Sequence, residues 1–285
     1  MTASFDPIKY KTTTRAQWDD AAAAWHRWGS LLNQWLGPAT EVMFDMANIG
    51  TGSKVLDVAA GAGEQSIIAA KRVGVSGHVL ATDISPKILD FAMNSAHEAG
   101  LSNITTRVLD GEHLDELAGQ NFDAAISRVG LIYFPDQQKA LNGMKMSLRV
   151  GGKISVMTYS VPEKNGFFSV PVSIIRKRAQ LPPPLPGQPG PFSLGKIDVL
   201  RKCLENAGFR NVKIEAIDSP VILPTAQECL QFEQESFGAL HQMLAGLNAK
   251  EQSEAWDEIE QALMEYENNG QFIGPCEMLV ASGEK

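Results

Sequence analysis

From residue 54 onward the chain alternates short apolar runs with helix-length segments, and this alternation restricts its fold more than any other feature. Such runs joined by helices are typical of βαβ units, whose parallel strands are buried on both faces. The pattern therefore predicts an α/β fold with a doubly wound, mostly parallel seven-stranded sheet. The predicted strands are residues 55–58, 78–82, 104–109, 124–128, 153–158, 211–217 and 276–281.

The N-terminal fifty residues are predicted to form helices and to act as a lid. Their spacing allows four tryptophans to share one helical stripe: Trp18, Trp25, Trp28 and Trp35. We expect Gly37-Pro38 to break this pattern. The prediction is that the rings pack on the next domain, and the alternative is that they also form the wall of a ligand pocket.

Two later segments also depart from the strand–helix alternation. The run Leu181–Pro191 contains too many prolines for a helix interior or a central strand, so an ordered lid or surface loop is predicted there. A long helical stretch from about residue 225 is predicted to be a cap, because strand connections normally need only a few residues. The predicted organisation is an N-terminal helical lid (1–50), an α/β core (51–160, 196–222 and 271–285), a proline-rich lid (161–195) and a helical cap insertion (223–270).

Charge and cysteine content exclude several classes of partner. The formal net charge is -8, which is poorly matched to a nucleic-acid backbone, so no nucleic-acid partner is expected. Three widely spaced cysteines fit neither a disulfide framework nor a zinc site, so no metal is predicted. No stretch has the roughly 20 apolar residues that a bilayer span needs. We expect a cytoplasmic protein without membrane partners, whose oligomeric state the sequence leaves open.

The sharpest local motif is the segment from Val55 to Ala70, an apolar strand followed by a small-residue turn and a helix. Small residues in such a turn let a ligand approach backbone N–H groups at the helix N-terminus. No Lys-Ser/Thr follows the turn, which excludes a phosphate-binding P-loop. Ser66 stands where a dinucleotide fingerprint has its third glycine. A ligand without phosphate is therefore favoured.

Polar residues also follow the next three strands. Asp83 ends the second strand, where a carboxylate can accept hydrogen bonds from both hydroxyls of a ribose, and Ser85 is the better candidate to cap the following helix. Asp110-Gly111-Glu112 closes the third strand and suits an adenine amino group. Arg128 ends the fourth strand. It is predicted either to bind a carboxylate or to pair with Asp83 or Asp110.

These residues resemble the class I S-adenosylmethionine-dependent methyltransferases, especially the small-molecule branch that includes ubiquinone/menaquinone-type enzymes. The resemblance covers roughly residues 50 to 160 and departs from the family's Asp-x-Gly-x-Gly-x-Gly loop at Ala59. It implies S-adenosylmethionine as cofactor, S-adenosylhomocysteine as product, and a last strand that inserts antiparallel. The implied cofactor-binding residues are Asp57, Ala59, Gly61, Gly63, Gln65, Asp83, Ile84, Asp110, Gly111, Glu112 and Arg128.

The implied reaction transfers a methyl group to an oxygen or carbon of a small, largely apolar metabolite, and it depends mainly on proximity and orientation. A base is needed only if the acceptor arrives protonated. The candidates for that role are His113, Tyr133 and His26, with Tyr159 as a further tyrosine near a strand end. Two alternatives stay open, an NAD-dependent oxidoreductase and a non-catalytic S-adenosylmethionine-binding module.

Overall fold

The structure is a computed structural model, and it describes residues 5–185 and 188–285. Its helices are α1 (Pro7–Arg27), α2 (Gly29–Met46), α3 (Glu64–Val73), α4 (Pro86–Glu98), α5 (Gln137–Ser147), α6 (Gly166–Arg178), α7 (Ile197–Asn206), α8 (Ala226–Ser236), α9 (Gly238–Leu244) and α10 (Ala249–Leu263). Its strands are β1 (Lys54–Val58), β2 (His78–Asp83), β3 (Ile104–Val108), β4 (Phe122–Arg128), β5 (Leu148–Tyr159), β6 (Arg210–Asp218), β7 (Val221–Leu223), β8 (Glu267–Asn268), β9 (Gln271–Gly274) and β10 (Glu277–Glu284).

The main sheet has seven strands in the order β3-β2-β1-β4-β5-β10-β6. Strands β1 to β5 pair in parallel, whereas β10 runs antiparallel to both β5 and β6. The predicted doubly wound sheet with an antiparallel last strand is therefore confirmed. All seven predicted strands form. Parallel strands such as β1 are easy to recognise in the sequence, because they are runs of fully buried apolar residues such as Val55 and Leu56.

The direction of strand order reverses between β1 and β4, which are neighbours in the sheet. In open α/β sheets, ligands bind at such a reversal, outside the carboxyl ends of the strands. The fold therefore brings the ends of β1 and β4 to one crevice, with β2 and β3 beside them.

The N-terminal helices differ from the prediction in where the chain breaks. Helix α1 ends at Arg27 and Trp28 is its C-cap, whereas Pro38 lies inside α2, which continues to Met46. The expected break at Gly37-Pro38 is thus wrong. Proline in a helix interior is unfavourable by about 3 kcal/mol, and α2 offsets this by burying a long apolar face that includes Trp35 and Phe44.

The two later segments are also more structured than predicted. Much of the predicted lid at 161–195 is helix α6, which buries Phe167, Phe168 and Ile175. Residues 181–185 and 188–190 contain neither helix nor strand, as expected of the proline run, and residues 186–187 lie outside the described residues. The cap holds helices α8 to α10, but β7, β9 and β8 add a second, three-stranded sheet. Strands of two to four residues are too short for periodicity to reveal.

Within the described residues, none of the helices is long and apolar enough to cross a membrane.

Candidate active site

A crevice of about 1050 Å³, including the part open to solvent, lies at the carboxyl ends of β1 to β4. Four strand-end residues line it: Ala59, Asp83, Asp110 and Arg128. Helix α1 covers it with one face that carries Tyr10, Lys11, Thr14, Trp18 and Trp25. Residues at these spacings fall on the same side of a helix. The N-terminal helix therefore forms a wall of the site.

Asp57, a residue of β1, stabilises the turn that follows this strand. Its buried carboxylate accepts hydrogen bonds from Ser66 Oγ at 2.5 Å and from Gln65 Nε2 at 3.4 Å. Gln65 also donates to the Ala60 carbonyl at 3.0 Å. Burial raises the pKa of Asp57 to about 7, and the two hydrogen bonds oppose that rise. Asp57 thus fixes the turn, whereas Gln65 reaches the crevice.

Two positions in this turn explain its residue types. Ala59 has φ 57°, a left-handed conformation that favours glycine. This accounts for the glycine in the family motif at that position. Gly63 has φ 91°, and an added Cβ would lie 2.7 Å from the Cβ of Ala92. Gly63 is therefore required for α3 and α4 to pack closely.

Replacing Asp57 with Asn is expected to change how stability depends on pH. The pKa of Asp57 rises from 3.8 to about 7 on folding, so the folded state keeps a proton that the unfolded state releases. The free energy of unfolding should then fall as pH rises between about 4 and 7, by up to about 1.4 kcal/mol per pH unit, and stay flat above. Asp57→Asn should remove this part of the slope in urea titrations from pH 4 to 8.

Asp123→Asn is the matched control. Burial alone would raise the pKa of Asp123, but hydrogen bonds from the Lys54 backbone and Arg149 lower it below its ordinary value. Its stabilisation is therefore present above the unfolded pKa and is lost only as pH falls below about 4. Parallel curves for the wild-type chain and Asp57→Asn would contradict the prediction.

Asp83 ends β2 with a buried carboxylate. Oδ2 accepts from the Gly61 N–H at 3.0 Å and Oδ1 accepts from the Ser85 N–H at 3.0 Å. Burial raises the pKa of Asp83 to about 6, and the backbone hydrogen bonds oppose the rise. Ser85 caps α4 by accepting from the Ile88 N–H at 3.2 Å, as predicted. Asp83 is therefore held in place and keeps lone pairs for a ligand.

The acids after β3 are joined to the N-terminal helix by Lys11. Its Nζ lies 2.8 Å from Asp110 Oδ2 and 2.6 Å from Glu112 Oε2. Burial alone would raise the pKa of Asp110, but the hydrogen bond and charge of Lys11 lower it below the ordinary value. Glu112 also accepts from the Asp136 N–H at 2.9 Å. These contacts connect α1 to the acids that follow β3, so that the helix stays over the crevice.

Arg128 is buried at the end of β4, and its partner is not one of the predicted acids. Its guanidinium lies 3.6 Å from Glu64 Oε2 and donates to Thr40 Oγ1 at 3.5 Å. The expected pair with Asp83 or Asp110 is wrong, because Glu64 at the start of α3 is closer. Both contacts are long for hydrogen bonds, so the five N–H donors of the guanidinium are poorly satisfied by the described residues.

Much of the crevice lining is aromatic. Tyr133, Tyr159, Trp18, Trp25, Trp35 and Phe237 line it. The rings of Trp18 and Tyr133 pack edge to face with centroids 5.6 Å apart, and Trp35 stacks on Tyr159 at 6.3 Å. Burial raises the pKa of both tyrosines well above the ordinary value, so both hydroxyls stay protonated at neutral pH. This lining suits an apolar, ring-containing molecule.

Residues 49–180 match a family model described as a methyltransferase domain. Over these residues the chain is similar to the class I S-adenosylmethionine-dependent methyltransferases. An uncharacterised protein of Mycobacterium tuberculosis is 35% identical to this chain over 165 residues, which are 58% of this chain and 56% of that protein. Aklanonic acid methyltransferase DauC of Streptomyces sp. is 30% identical over 146 residues, which are 51% of this chain and 64% of that enzyme. This chain thus spans a little over half the length of the first of these relatives.

The solved structure of Haemonchus contortus phosphoethanolamine N-methyltransferase 2 has the same fold. That structure, in complex with phosphomonomethylethanolamine and S-adenosylhomocysteine, superposes with a TM-score of 0.54 at 18% identity. The match covers 87% of this chain and 52% of that chain. At this identity the likeness concerns the fold alone.

The methyltransferase domain brings most of the predicted cofactor-binding residues to the crevice. Ala59, Gly61, Gln65, Asp83, Ile84, Asp110, Gly111 and Arg128 line it. The other three, Asp57, Gly63 and Glu112, lie outside the lining and instead hold the turn, the α3–α4 packing and Lys11.

Of the predicted acid–base candidates, the two tyrosines line the crevice and the two histidines do not. The half-exposed side chain of His113 lies outside the lining, with Nδ1 3.6 Å from Asp110. His26 is exposed and stacks on Phe91, with ring centroids 4.9 Å apart. Tyr133 follows β4, and Tyr159 is at the end of β5.

Sequence reasoning missed several wall residues of the crevice. They include Tyr10, Lys11 and Thr14 on α1 and Glu64 on α3. Phe237, at the end of α8, was among the cap residues that suggest an apolar pocket, and it lines the crevice. The seven-residue spacing of Trp18 and Trp25 was the signal for the α1 wall. Trp18, Trp25 and Trp35 all line the crevice, so the prediction that these rings only pack on the next domain is wrong.

Proposed function

We propose that this protein transfers a methyl group from S-adenosylmethionine to an oxygen or carbon of a small, largely apolar metabolite. The observation that supports this most is one crevice whose lining combines two kinds of side chain. Asp83, Asp110 and Arg128 supply polar groups, and the tryptophan and tyrosine rings supply apolar surface. A cofactor with a ribose, an adenine and a charged amino-acid end fits the polar groups, and the acceptor fits the rings.

The residues present fit S-adenosylmethionine at three points. Asp83 has lone pairs left for the ribose hydroxyls after its contacts with Gly61 and Ser85. Asp110 would accept from the adenine amino group. Arg128, with only long contacts to Glu64 and Thr40, would donate to the carboxylate. When bound, the cofactor supplies an electrophilic methyl group.

The chain's own contribution is to orient the acceptor and exclude water. Helix α1 covers the crevice, and Lys11 fastens it to Asp110 and Glu112. The aromatic rings hold an apolar acceptor with little room to move, and misplacement by about 1 Å can lower a rate about 100-fold. Tyr133 and Tyr159 keep their protons and can hydrogen-bond to an acceptor oxygen. The proposal therefore assigns no general base and concerns acceptors that have lost their proton before the methyl group is transferred.

S-adenosylhomocysteine is expected to raise the melting temperature, and NAD is not. A ligand at about 100 times its dissociation constant adds about 2.7 kcal/mol to the free energy of unfolding. At about 2–4 °C per kcal/mol this gives a shift of several degrees, which differential scanning fluorimetry measures. A shift with NAD alone would favour the oxidoreductase alternative and contradict the proposal.

Transfer of labelled methyl groups to phenols, quinones and polycyclic acceptors then separates an enzyme from a binding module. The M. tuberculosis relative carries no named activity, and DauC is named as a methyltransferase of aklanonic acid. The aromatic residues that line the crevice make ring-containing acceptors the first class to screen. Binding of S-adenosylhomocysteine without transfer to any acceptor would favour a non-catalytic module.

A further inference from the structure

Glu64 lines the crevice beside Arg128, and the proposed methyl transfer gives it no role. Its side chain is 10% exposed, so a ligand in the crevice can reach it, and Oε2 lies 3.6 Å from Nη2 of Arg128. That distance is too long for a hydrogen bond. Among residues 5–185 and 188–285, no other residue donates a hydrogen bond to this carboxylate. A nearly buried carboxylate normally has such donors, so Glu64 has acceptor capacity left for a ligand.

The other acids in the crevice lining are better satisfied than Glu64. In the described part of the chain, three acids line the crevice: Glu64, Asp83 and Asp110. Asp83 accepts hydrogen bonds from two backbone N–H groups. Asp110 accepts from one backbone N–H group and from Lys11. Glu64 is therefore the acid most in need of a donor, and it lies next to a guanidinium whose own contacts are long.

The order of strands in the sheet places this pair at one end of a row of polar residues. From β3 through β2 and β1 to β4, the strand ends carry Asp110, Asp83, the turn before Glu64, and Arg128. Adenine, ribose and the amino-acid end follow one another in the same order along S-adenosylmethionine. With the adenine at Asp110 and the ribose at Asp83, the amino-acid end lies at Glu64 and Arg128.

The amino-acid end carries one positive and one negative charge, and so does the pair. An ammonium group has three N–H donors for a carboxylate, and a guanidinium donates to a carboxylate ligand. Burial raises the pKa of Glu64, and the charge of Arg128 opposes that rise. A second cation beside Glu64 would oppose it further. An α-amino acid therefore gives both charged side chains the hydrogen bonds that they lack, whereas a simple amine or carboxylate would serve only one of them.

We propose that Glu64 accepts hydrogen bonds from the α-ammonium group of S-adenosylmethionine, while Arg128 donates to the carboxylate on the same carbon atom. The inference rests on the proposed function, because it concerns the cofactor in the same crevice. It makes Glu64 a specificity-determining residue, which selects adenosyl ligands with an intact amino-acid end over those that lack the amino group.

Two analogues of S-adenosylhomocysteine test this assignment by isothermal titration calorimetry. 4-(Adenosylthio)butanoic acid lacks only the α-amino group, and 3-(adenosylthio)propylamine lacks only the carboxylate. We expect the wild-type chain to bind the analogue without the amino group at least about tenfold more weakly than S-adenosylhomocysteine, as for loss of a charge-assisted hydrogen bond. Glu64→Gln should lower this ratio of dissociation constants about tenfold.

The same variant separates ligand binding from simple charge balance. If Glu64 only neutralised Arg128, Glu64→Gln would leave the guanidinium without a charged partner. S-adenosylhomocysteine and the analogue without the amino group would then both bind more tightly, and their ratio would stay unchanged. Glu98→Gln makes the same change at an exposed position of α4, outside the crevice lining, and is the matched control that should keep the wild-type ratio.

The double variant Glu64→Gln/Arg128→Met keeps the test decisive if Glu64→Gln does not fold, because neither charge is left without its partner. It should bind S-adenosylhomocysteine and both analogues with dissociation constants within about threefold of one another. A wild-type chain that binds S-adenosylhomocysteine and the analogue without the amino group equally well would overturn the inference. An unchanged ratio in either variant would overturn it too.

The proposed function and this inference fail in different ways. A chain that does not bind S-adenosylhomocysteine would refute the function, and the inference with it. Binding of S-adenosylhomocysteine with an unchanged ratio in Glu64→Gln would refute the role of Glu64 alone and leave the proposed function standing.

Discussion

Replacing Asp83 with Asn is expected to weaken the binding of S-adenosylhomocysteine by about 100-fold. The carboxylate would accept from two ribose hydroxyls, and charge-assisted hydrogen bonds of this kind contribute about 1.5–3 kcal/mol each. The amide keeps one oxygen, and its NH2 group would face the N–H of either Gly61 or Ser85, each of which now donates to one carboxylate oxygen. Isothermal titration calorimetry on the folded variant measures the loss.

Asp90→Asn is the matched control for this experiment. Asp90 is exposed on α4, the helix that follows Asp83, so its replacement changes the net charge equally without touching the crevice. Its affinity for S-adenosylhomocysteine should equal that of the wild-type chain. An unchanged affinity in folded Asp83→Asn would show that Asp83 only holds the turn and contacts no ribose.

Replacing Arg128 with Met is expected to produce the largest loss of stability. The Arg128 side chain is buried and that of Glu64 nearly so, with side-chain exposures of 5% and 10%. Removing one partner of a buried ion pair leaves an uncompensated charge and typically lowers the free energy of unfolding by about 3–5 kcal/mol. Urea denaturation followed by tryptophan fluorescence measures the change.

The double variant Glu64→Gln/Arg128→Met separates stability from cofactor binding. Glu64 has lost its charged partner in Arg128→Met, so replacing it with Gln should restore most of the free energy of unfolding. Affinity for S-adenosylhomocysteine should stay low in both variants, because the proposed partner of its carboxylate is gone. Wild-type affinity in the double variant would show that Arg128 serves only the pair with Glu64.

The sheet could be predicted because its strands carry their information locally. Buried parallel strands are continuous apolar runs, and tight turns after them need small residues, so β1 and its turn could be predicted from the segment Val55 to Ala70 alone. The polar ends of β2 and β3 follow directly from the strand positions. The pairing of Lys11 with Asp110 could not be predicted, because it joins residues ninety-nine positions apart.

The remaining errors have physical causes of the same kind. Pro38 was expected to end a helix, since local propensity disfavours it, and long-range packing of α2 outweighs that preference. Arg128 was assigned to the acids at neighbouring strand ends, because the sequence gives no sign that Glu64 at the start of α3 turns toward it. The short strands β7 to β9 depend on pairing with each other and carry no pattern alone.

The antiparallel insertion of β10 also determines how the cap is attached. Asp218 at the end of β6 and Glu277 at the start of β10 are direct register partners, so the whole cap leaves and rejoins the sheet at one point. A segment whose two ends are already neighbours can be exchanged for another without stretching or shifting the strands that carry it. The scaffold is therefore modular. Chimaeras that carry a different cap between these two residues should retain cofactor binding and acquire a different selectivity for acceptors.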